Sequence, residues 1–218
     1  MSNPIVIAYH LIWTLYGWWL PNDLRGSTSK TIRSDALREL GELHFGRNKI
    51  QPASHEIKNF HAQAQSLLKY PLLELSTRSI AIVADGFAEV IRQFRYTCYA
   101  CAILPDHIHL ILRKHRDSAE EMIARLQDAG RLRLSASGLF PPNHPIWVRG
   151  GWKVFLDHPD EIHRTIGYIE NNPLPYGMAI QKYDFVMPYD NWPLHEGHDA
   201  HSPYARALRA AGRYPRER

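Results

Sequence analysis

Cysteine is scarce in this chain: 218 residues hold two, Cys98 and Cys101, too few for the disulfide framework of a small secreted domain. They stand three apart in a segment of strand character. Alternation therefore sends them to opposite faces, where they cannot share a metal, and they are expected to be reduced core thiols. Long apolar runs are also lacking. The apolar N-terminal stretch is broken by His10 and Thr14 and has no basic leader, so neither a signal peptide nor a membrane span is expected, and the chain reads as cytoplasmic. Internal repeats, low-complexity blocks and convincing interdomain linkers are missing too. With 44% hydrophobic and 22% charged residues, the composition suits one domain with elaborations.

An excess of one charge is nearly absent as well. The formal net charge is +4, and all of it lies in the last thirteen residues. Arg206, Arg209, Arg213, Arg216 and Arg218 stand there against Glu217. The chain reads as one domain over 1–195 with a tail over 196–218; a formally neutral stretch up to residue 205 followed by the arginines at the end of that tail suits an auxiliary nucleic-acid contact, or equally a solvated terminus.

What is present is a clear order of elements. Residues 5–16 alternate as a strand, with Tyr9, Leu11, Trp13 and Leu15 on one side. Residues 78–95 put Ile80, Val83, Ala84, Phe87, Ile91 and Phe94 on one helical stripe. Two strands, 97–104 and 107–113, are separated by the tight turn Pro105-Asp106. Ser118 and Glu121 form a capping-box pattern that opens a helix through about residue 134. After a Pro- and Gly-rich loop over 135–150, a strand is expected at 152–156. Pro159, Asp160 and Glu161 then open a helix that Pro173 ends. The order implies an α+β, ferredoxin-like split βαβ pattern, an antiparallel sheet with helices on one face, plus an added C-terminal helix. Residues 17–77 read as an insertion after the first strand, with helices near 34–43 and 54–70.

His107 and His109 are two apart on a strand, so both imidazoles leave one face while Ile108, Leu110 and Leu112 leave the other. Two neutral imidazoles on one face make half of a metal site. Among 13 histidines such a pair alone is weak evidence, but its place on an inner strand with an apolar reverse face strengthens it. The last helix carries Glu161, Thr165, Tyr168 and Asn172 beside its apolar stripe, with Tyr168 and Asn172 one turn apart. An amide oxygen can complete a site for a hard divalent ion, and a phenol beside it can act as nucleophile. Alone, that helix reads more simply: Tyr168 packs and Asn172 ends the helix before Pro173.

The run LPDHIHLIL, followed later by GYIENNP, resembles the HUH-type single-tyrosine transposases of the insertion-sequence and REP-associated groups. Those proteins pair a PxHxH strand turn with a Tyr-Ile-x-x-Asn-Pro helix. The opening YHLIWTLYGWWLPNDLRGS and the segment WKVFLDHPDEIHRTIGYIENNP resemble the REP-associated branch too. The resemblance is weakest over 27–77 and after about 195. It implies a metal-dependent endonuclease and strand transferase acting on single-stranded DNA that bears hairpin or palindromic repeats. Mg²⁺ or Mn²⁺ would be held by His107, His109 and the amide of Asn172, with neighbouring Asn171 as the alternative third ligand. Tyr168 would attack the phosphate to leave a 5′-phosphotyrosyl link. Relatives of this kind act as monomers or as homodimers. A domesticated protein that binds DNA hairpins without cutting is the alternative. A hydrolase of small phosphoesters fits less well, because no carboxylate cluster accompanies the histidines.

Other residues are candidates for DNA contact. Trp18 and Trp19 follow the first strand and offer rings for base stacking, or else serve as core or lid. Arg113, Lys114, Arg149, Lys153 and Arg164 lie near the ends of elements that frame the histidines, where phosphate contact competes with ordinary surface charge.

Overall fold

The computed structural model describes residues 5–27, 29–48, 50–141, 143–194 and 198–210. Strand β1 (Ala8–Thr14) comes first. The insertion follows, with β2 (Gly26–Ser27), the short α1 (Asp35–Arg38), β3 (Gly46–Arg47) and α2 (Ser54–Gln65). Then come α3 (Thr77–Phe94), β4 (Cys98–Ile103), β5 (His107–Arg113), α4 (Ala119–Ala136), β6 (Trp152–Leu156), α5 (Pro159–Asn171) and α6 (Pro203–Ala210).

The caps explain why these helices start where they do. Ser76 Oγ accepts from the Ser79 amide at 3.2 Å to open α3. Ser118 Oγ accepts from the Glu121 amide at 3.2 Å while Glu121 Oε2 accepts from the Ser118 amide at 2.7 Å, which completes the expected capping box of α4. At α5 the Pro at the first position needs no amide partner, and His158 Nδ1 accepts from the Asp160 amide at 3.1 Å.

The sheet runs β4-β5-β1-β6, and every neighbouring pair is antiparallel. This is the ferredoxin-like order, with β5 and β1 inside. One face carries Tyr9, Leu11, Trp13, Ile108, Leu110 and Leu112, buried under Val83 and Phe87 of α3 and Met122 and Leu126 of α4. Helix α5 lies on the other face, where Ile162 and Ile169 are fully buried with Ala8, Ala102, Ile111 and Leu156. The insertion builds its own small cluster around Leu20, Phe60 and Ala64. Its helices are shorter than the sequence pattern implies, and the paired strands β2 and β3 were not expected from it.

Two readings change. A β-bulge between Cys98 and Ala100 sets both Tyr99 and Ala100 against Ile111, so Cys98 and Cys101 share one face instead of opposing each other. Both are free and buried; burial pushes the Cys98 thiol up to about 12 and Cys101 upward as well. They are core thiols, though not for the geometric reason the spacing suggests. The basic C-terminal segment is also more than a tail: α6 docks through Ala205 and Leu208, both buried, with Leu208 joining the α5 side of the core. Arg213, Arg216 and Arg218 lie outside the described residues.

Because Ile169 is fully buried at the foot of α5, Ile169→Ala should cost about 2–5 kcal/mol by lost transfer energy and residual cavity. Urea denaturation checks this. A loss under about 0.5 kcal/mol, the range of ordinary surface substitutions, would show that α5 is not seated as described.

Candidate active site

The site lies where α5 crosses the strands. Pairing of β1 with β5 sets Thr14 opposite His107, Ile12 opposite His109 and Ile111 opposite His10. One-face alternation then puts His10, His107 and His109 on the side that α5 covers. Tyr168 extends from α5 above them, its ring centroid 5.6 Å from His109 and 6.2 Å from His10. The two imidazoles beneath are 4% and 7% exposed, whereas Tyr168 is 56% exposed. The phenol is therefore open to a ligand, with buried imidazoles behind it. These groups line a cleft of about 580 Å³ together with Thr165, Arg164 and Glu161 of α5 and Trp152 of β6.

Each histidine of β5 is tied at Nδ1. His107 Nδ1 lies 2.7 Å from Asp106 Oδ1, and His109 Nδ1 lies 2.9 Å from His10 Nε2. The first bond is an imidazole N–H given to a carboxylate. It leaves Nε2 of His107 with its lone pair. The second admits two tautomers, since one ring must donate and the other accept. When His109 donates, its Nε2 keeps a lone pair.

Burial lowers the pKa of His10 to about 4. Burial, with help from the charges of His107 and His10, holds His109 well below its ordinary value. Both rings are thus neutral at ordinary pH, the form that binds metals. For Asp106, burial pushes the carboxyl up, but the hydrogen bonds and charge of His107 and the Tyr176 phenol outweigh it and keep the group ionised.

Tyr176 is the unexpected neighbour. It lies beyond Pro173, yet the short 3₁₀ turn Leu174–Tyr176 folds it back, and its hydroxyl donates to Asp106 Oδ1 at 2.8 Å. Burial and that carboxylate push its pKa upward. A phenol so held is a brace for Asp106 and a poor nucleophile.

The amides are placed differently. Asn172 Nδ2 donates to the Tyr168 carbonyl at 2.9 Å, and Asn171 Nδ2 donates to the Gly167 carbonyl at 2.8 Å. Neither lines the cleft. Among the described residues no group of three His, Cys, Asp or Glu is arranged to hold a metal. The protein therefore offers two imidazoles, and an ion between them would need oxygen from an amide, water or substrate.

Of the residues considered for DNA contact, Trp19 and Arg164 line the cleft, and Arg149 lines an adjoining pocket that shares Ile12, Trp19 and Trp152 with it. The others lie elsewhere. Trp18 packs on the α3–α4 core and donates to the Leu73 carbonyl at 2.7 Å, so it is a core ring. Arg113 and Lys114 stand at the far end of β5, about 20 Å of strand from His107. Arg113 lies 4.0 Å over the Trp192 ring, and Lys114 bonds the Tyr9 hydroxyl. Lys153 alternates onto the helix face and pairs with Glu120 of α4.

Sequence reasoning missed His10, Asp106 and Tyr176. His10 carried a faint signal, being the one titratable side chain on its face of an apolar strand. Only the register shows that it meets His109.

No protein-family model matches the chain, and no curated protein does. Among solved structures, a REP-associated tyrosine transposase bound to a REP hairpin is similar at 16% identity, over 99% of this chain and 87% of that one, with a TM-score of 0.43. A candidate transposase from Deinococcus radiodurans is similar at 14% identity, over 78% and 94%, with a TM-score of 0.37. Both likenesses are slight, and neither transfers what those proteins bind or do.

The buried imidazoles make stability depend on pH. Unfolded, each takes up a proton near 6.5; folded, His10 does so only near 4. Protons therefore favour the unfolded chain, and stability falls as pH drops from about 6.5 toward 4. Thermal melts in chelator should show this fall, and His10→Gln should flatten it. A wild-type melting temperature constant over that window would contradict the buried neutral pair.

Proposed function

We propose that this chain is a metal-dependent single-stranded DNA endonuclease and strand transferase of the HUH single-tyrosine transposase type. The observation that carries the reading is the open phenol of Tyr168 beside His109, in a cleft that His107 also lines, with Nδ1 of both histidines engaged. The motif resemblance of LPDHIHLIL and GYIENNP points the same way.

Each residue has a part in the proposed chemistry. Nε2 of His107, Nε2 of His109 and Oδ1 of Asn172 would hold Mg²⁺ or Mn²⁺, which when bound polarises the scissile phosphate and offsets charge on its oxygens. Asp106 and His10 orient the two imidazoles, as outer partners of metal-bound histidines commonly do. Asn172 bonds the Tyr168 carbonyl through Nδ2, which leaves its oxygen out of that bond; the amide stands outside the cleft lining and would have to turn inward to reach the ion. Tyr168 attacks phosphorus. The new bond is Tyr168 Oη–P, the bond lost is P–O3′, the phenolic proton goes to water and the 3′-oxygen takes one up. The phosphotyrosyl link keeps the phosphodiester energy, so a 3′-hydroxyl can reverse the step and rejoin a strand with no nucleotide cofactor. The substrate is single-stranded DNA flanked by hairpin or palindromic repeats, bound by a monomer or a homodimer.

Labelled single-stranded DNA incubated with protein and Mn²⁺, then denatured, should give label travelling with the protein. Tyr168→Phe should abolish it, whereas Tyr176→Phe should retain it. His107→Ala or His109→Ala should abolish it while the fold persists. An adduct that survives in Tyr168→Phe would overturn the assignment. Wild type that binds hairpin DNA but never forms an adduct would favour a non-cutting binder.

The amides are separable by metal titration. Asn172→Ala should raise the Mn²⁺ needed for half-maximal adduct more than Asn171→Ala, since Asn172 follows Tyr168 by one turn. The reverse order would move the ligand to Asn171.

A further inference from the structure

The insertion over 17–77 does more than decorate the first strand. It walls one side of the cleft with Trp19, Arg25, Gly26, Gly46 and Gln51. We propose that Arg25 is a phosphate clamp, holding an oxygen of a DNA phosphate in the cleft. This rests on the reading that the cleft takes a DNA strand.

Arg25 is fixed to a degree uncommon for a surface arginine. Its Nε donates to Asp23 Oδ1 at 2.9 Å and its Nη2 to Asp23 Oδ2 at 2.7 Å. Nη2 also donates to the Trp18 carbonyl at 3.0 Å and meets His61 Nε2 at 3.2 Å. The guanidinium carbon stands 4.8 Å from the Trp19 ring centroid. The Asp23 side chain that anchors this fork is 1% exposed, while Arg25 itself is 26% exposed. Nη1 has no hydrogen-bond partner among the described residues.

A merely structural Arg–Asp pair would explain the anchoring but not the location. Among the described side chains, Arg25 and Arg164 are the guanidinium groups that line the cleft. Asp23 offsets the charge of Arg25, so the clamp supplies direction more than net attraction. The ordering cost of the fork is met in folding, which leaves little to lose when a phosphate arrives. A planar fork suits phosphate oxygens better than an ammonium group does. The local sequence serves this placement: Gly26, with φ of +99°, turns the chain just after Arg25 and pairs with Arg47 across β2 and β3.

The test compares wild type, Arg25→Gln and Arg25→Lys on labelled single-stranded DNA. Binding is measured in chelator across a salt series, and adduct formation with Mn²⁺. Arg25→Gln should weaken binding roughly tenfold, the worth of one charge-assisted hydrogen bond. It should also shallow the salt slope by about 0.7, one phosphate contact on a single strand. Arg25→Lys keeps Asp23 paired, guarding the fold; it should hold the slope yet slow adduct formation, because the fork is gone. Melting temperature and Mn²⁺ binding followed by electron paramagnetic resonance report the fold and the histidine site separately from activity. A folded, Mn²⁺-binding Arg25→Gln with wild-type slope and adduct rate would make Arg25 a loop brace and overturn the clamp alone. If Arg25→Gln does not fold, a wild-type adduct rate in Arg25→Lys overturns it. A wild type that neither binds DNA nor forms adduct would overturn the clamp and the nuclease reading together.

Discussion

The register between β1 and β5 governs most of what this structure can do. Seven consecutive residue pairs join the strands, from Ala8 with Arg113 to Thr14 with His107. Sheet side chains alternate with a period of two, so a slip of one residue would exchange the faces. His10 would enter the apolar core and Leu11 would meet the cleft. The register is held because Tyr9, Leu11 and Trp13 must join Ile108, Leu110 and Leu112 beneath α3 and α4. A hydrophobic requirement on one face thereby positions three histidines on the other.

Much of this was legible in the sequence, and what was legible shares a cause. Periodicity and local caps depend on nearby residues, so β4, β5, β6 and the start of α4 fall where the pattern puts them. The shared face of His107 and His109 needs only alternation within one strand. What escaped depends on contacts between distant segments. His10 and His109 are 99 residues apart, and nothing short of the register joins them. Tyr176 follows the Pro173 that ends the helix pattern, yet a single 3₁₀ turn returns it to Asp106, 70 residues earlier. The bulge at Tyr99 and Ala100 inserts one residue into the alternation and moves Cys101 to the face of Cys98.

The charged candidates mark a second limit. Arg113 and Lys114 look adjacent to the histidines because they close the same strand, but a strand advances about 3.3 Å per residue and carries them to its other end. Lys153 fails by parity instead, since it alternates away from Trp152 and Val154 and reaches Glu120. Cations that do line the cleft come from a helix turn, Arg164, and from the insertion, Arg25. Proximity in sequence is a poor guide to a site assembled at the crossing of a sheet and a helix.

The site is finally a balance between burial and incompleteness. Burial keeps His10 and His109 neutral and therefore able to donate lone pairs, at a cost in stability that grows as pH falls. The same burial would be hard to sustain for a full set of anionic ligands, since unpaired buried charge is expensive. Among the described residues no third acidic, histidine or cysteine side chain completes a metal-holding group with His107 and His109. Instead the phenol above is exposed, and further oxygen would have to come from an amide turned inward from the end of α5 or from whatever enters the cleft. On the proposed reading, an ion held by the imidazoles of His107 and His109 would keep most of its charge for that entrant. A phosphate diester, anionic and rich in oxygen, would complete the coordination and meet the nucleophile in the same act. Chemistry would then be confined to the moment when a strand is bound.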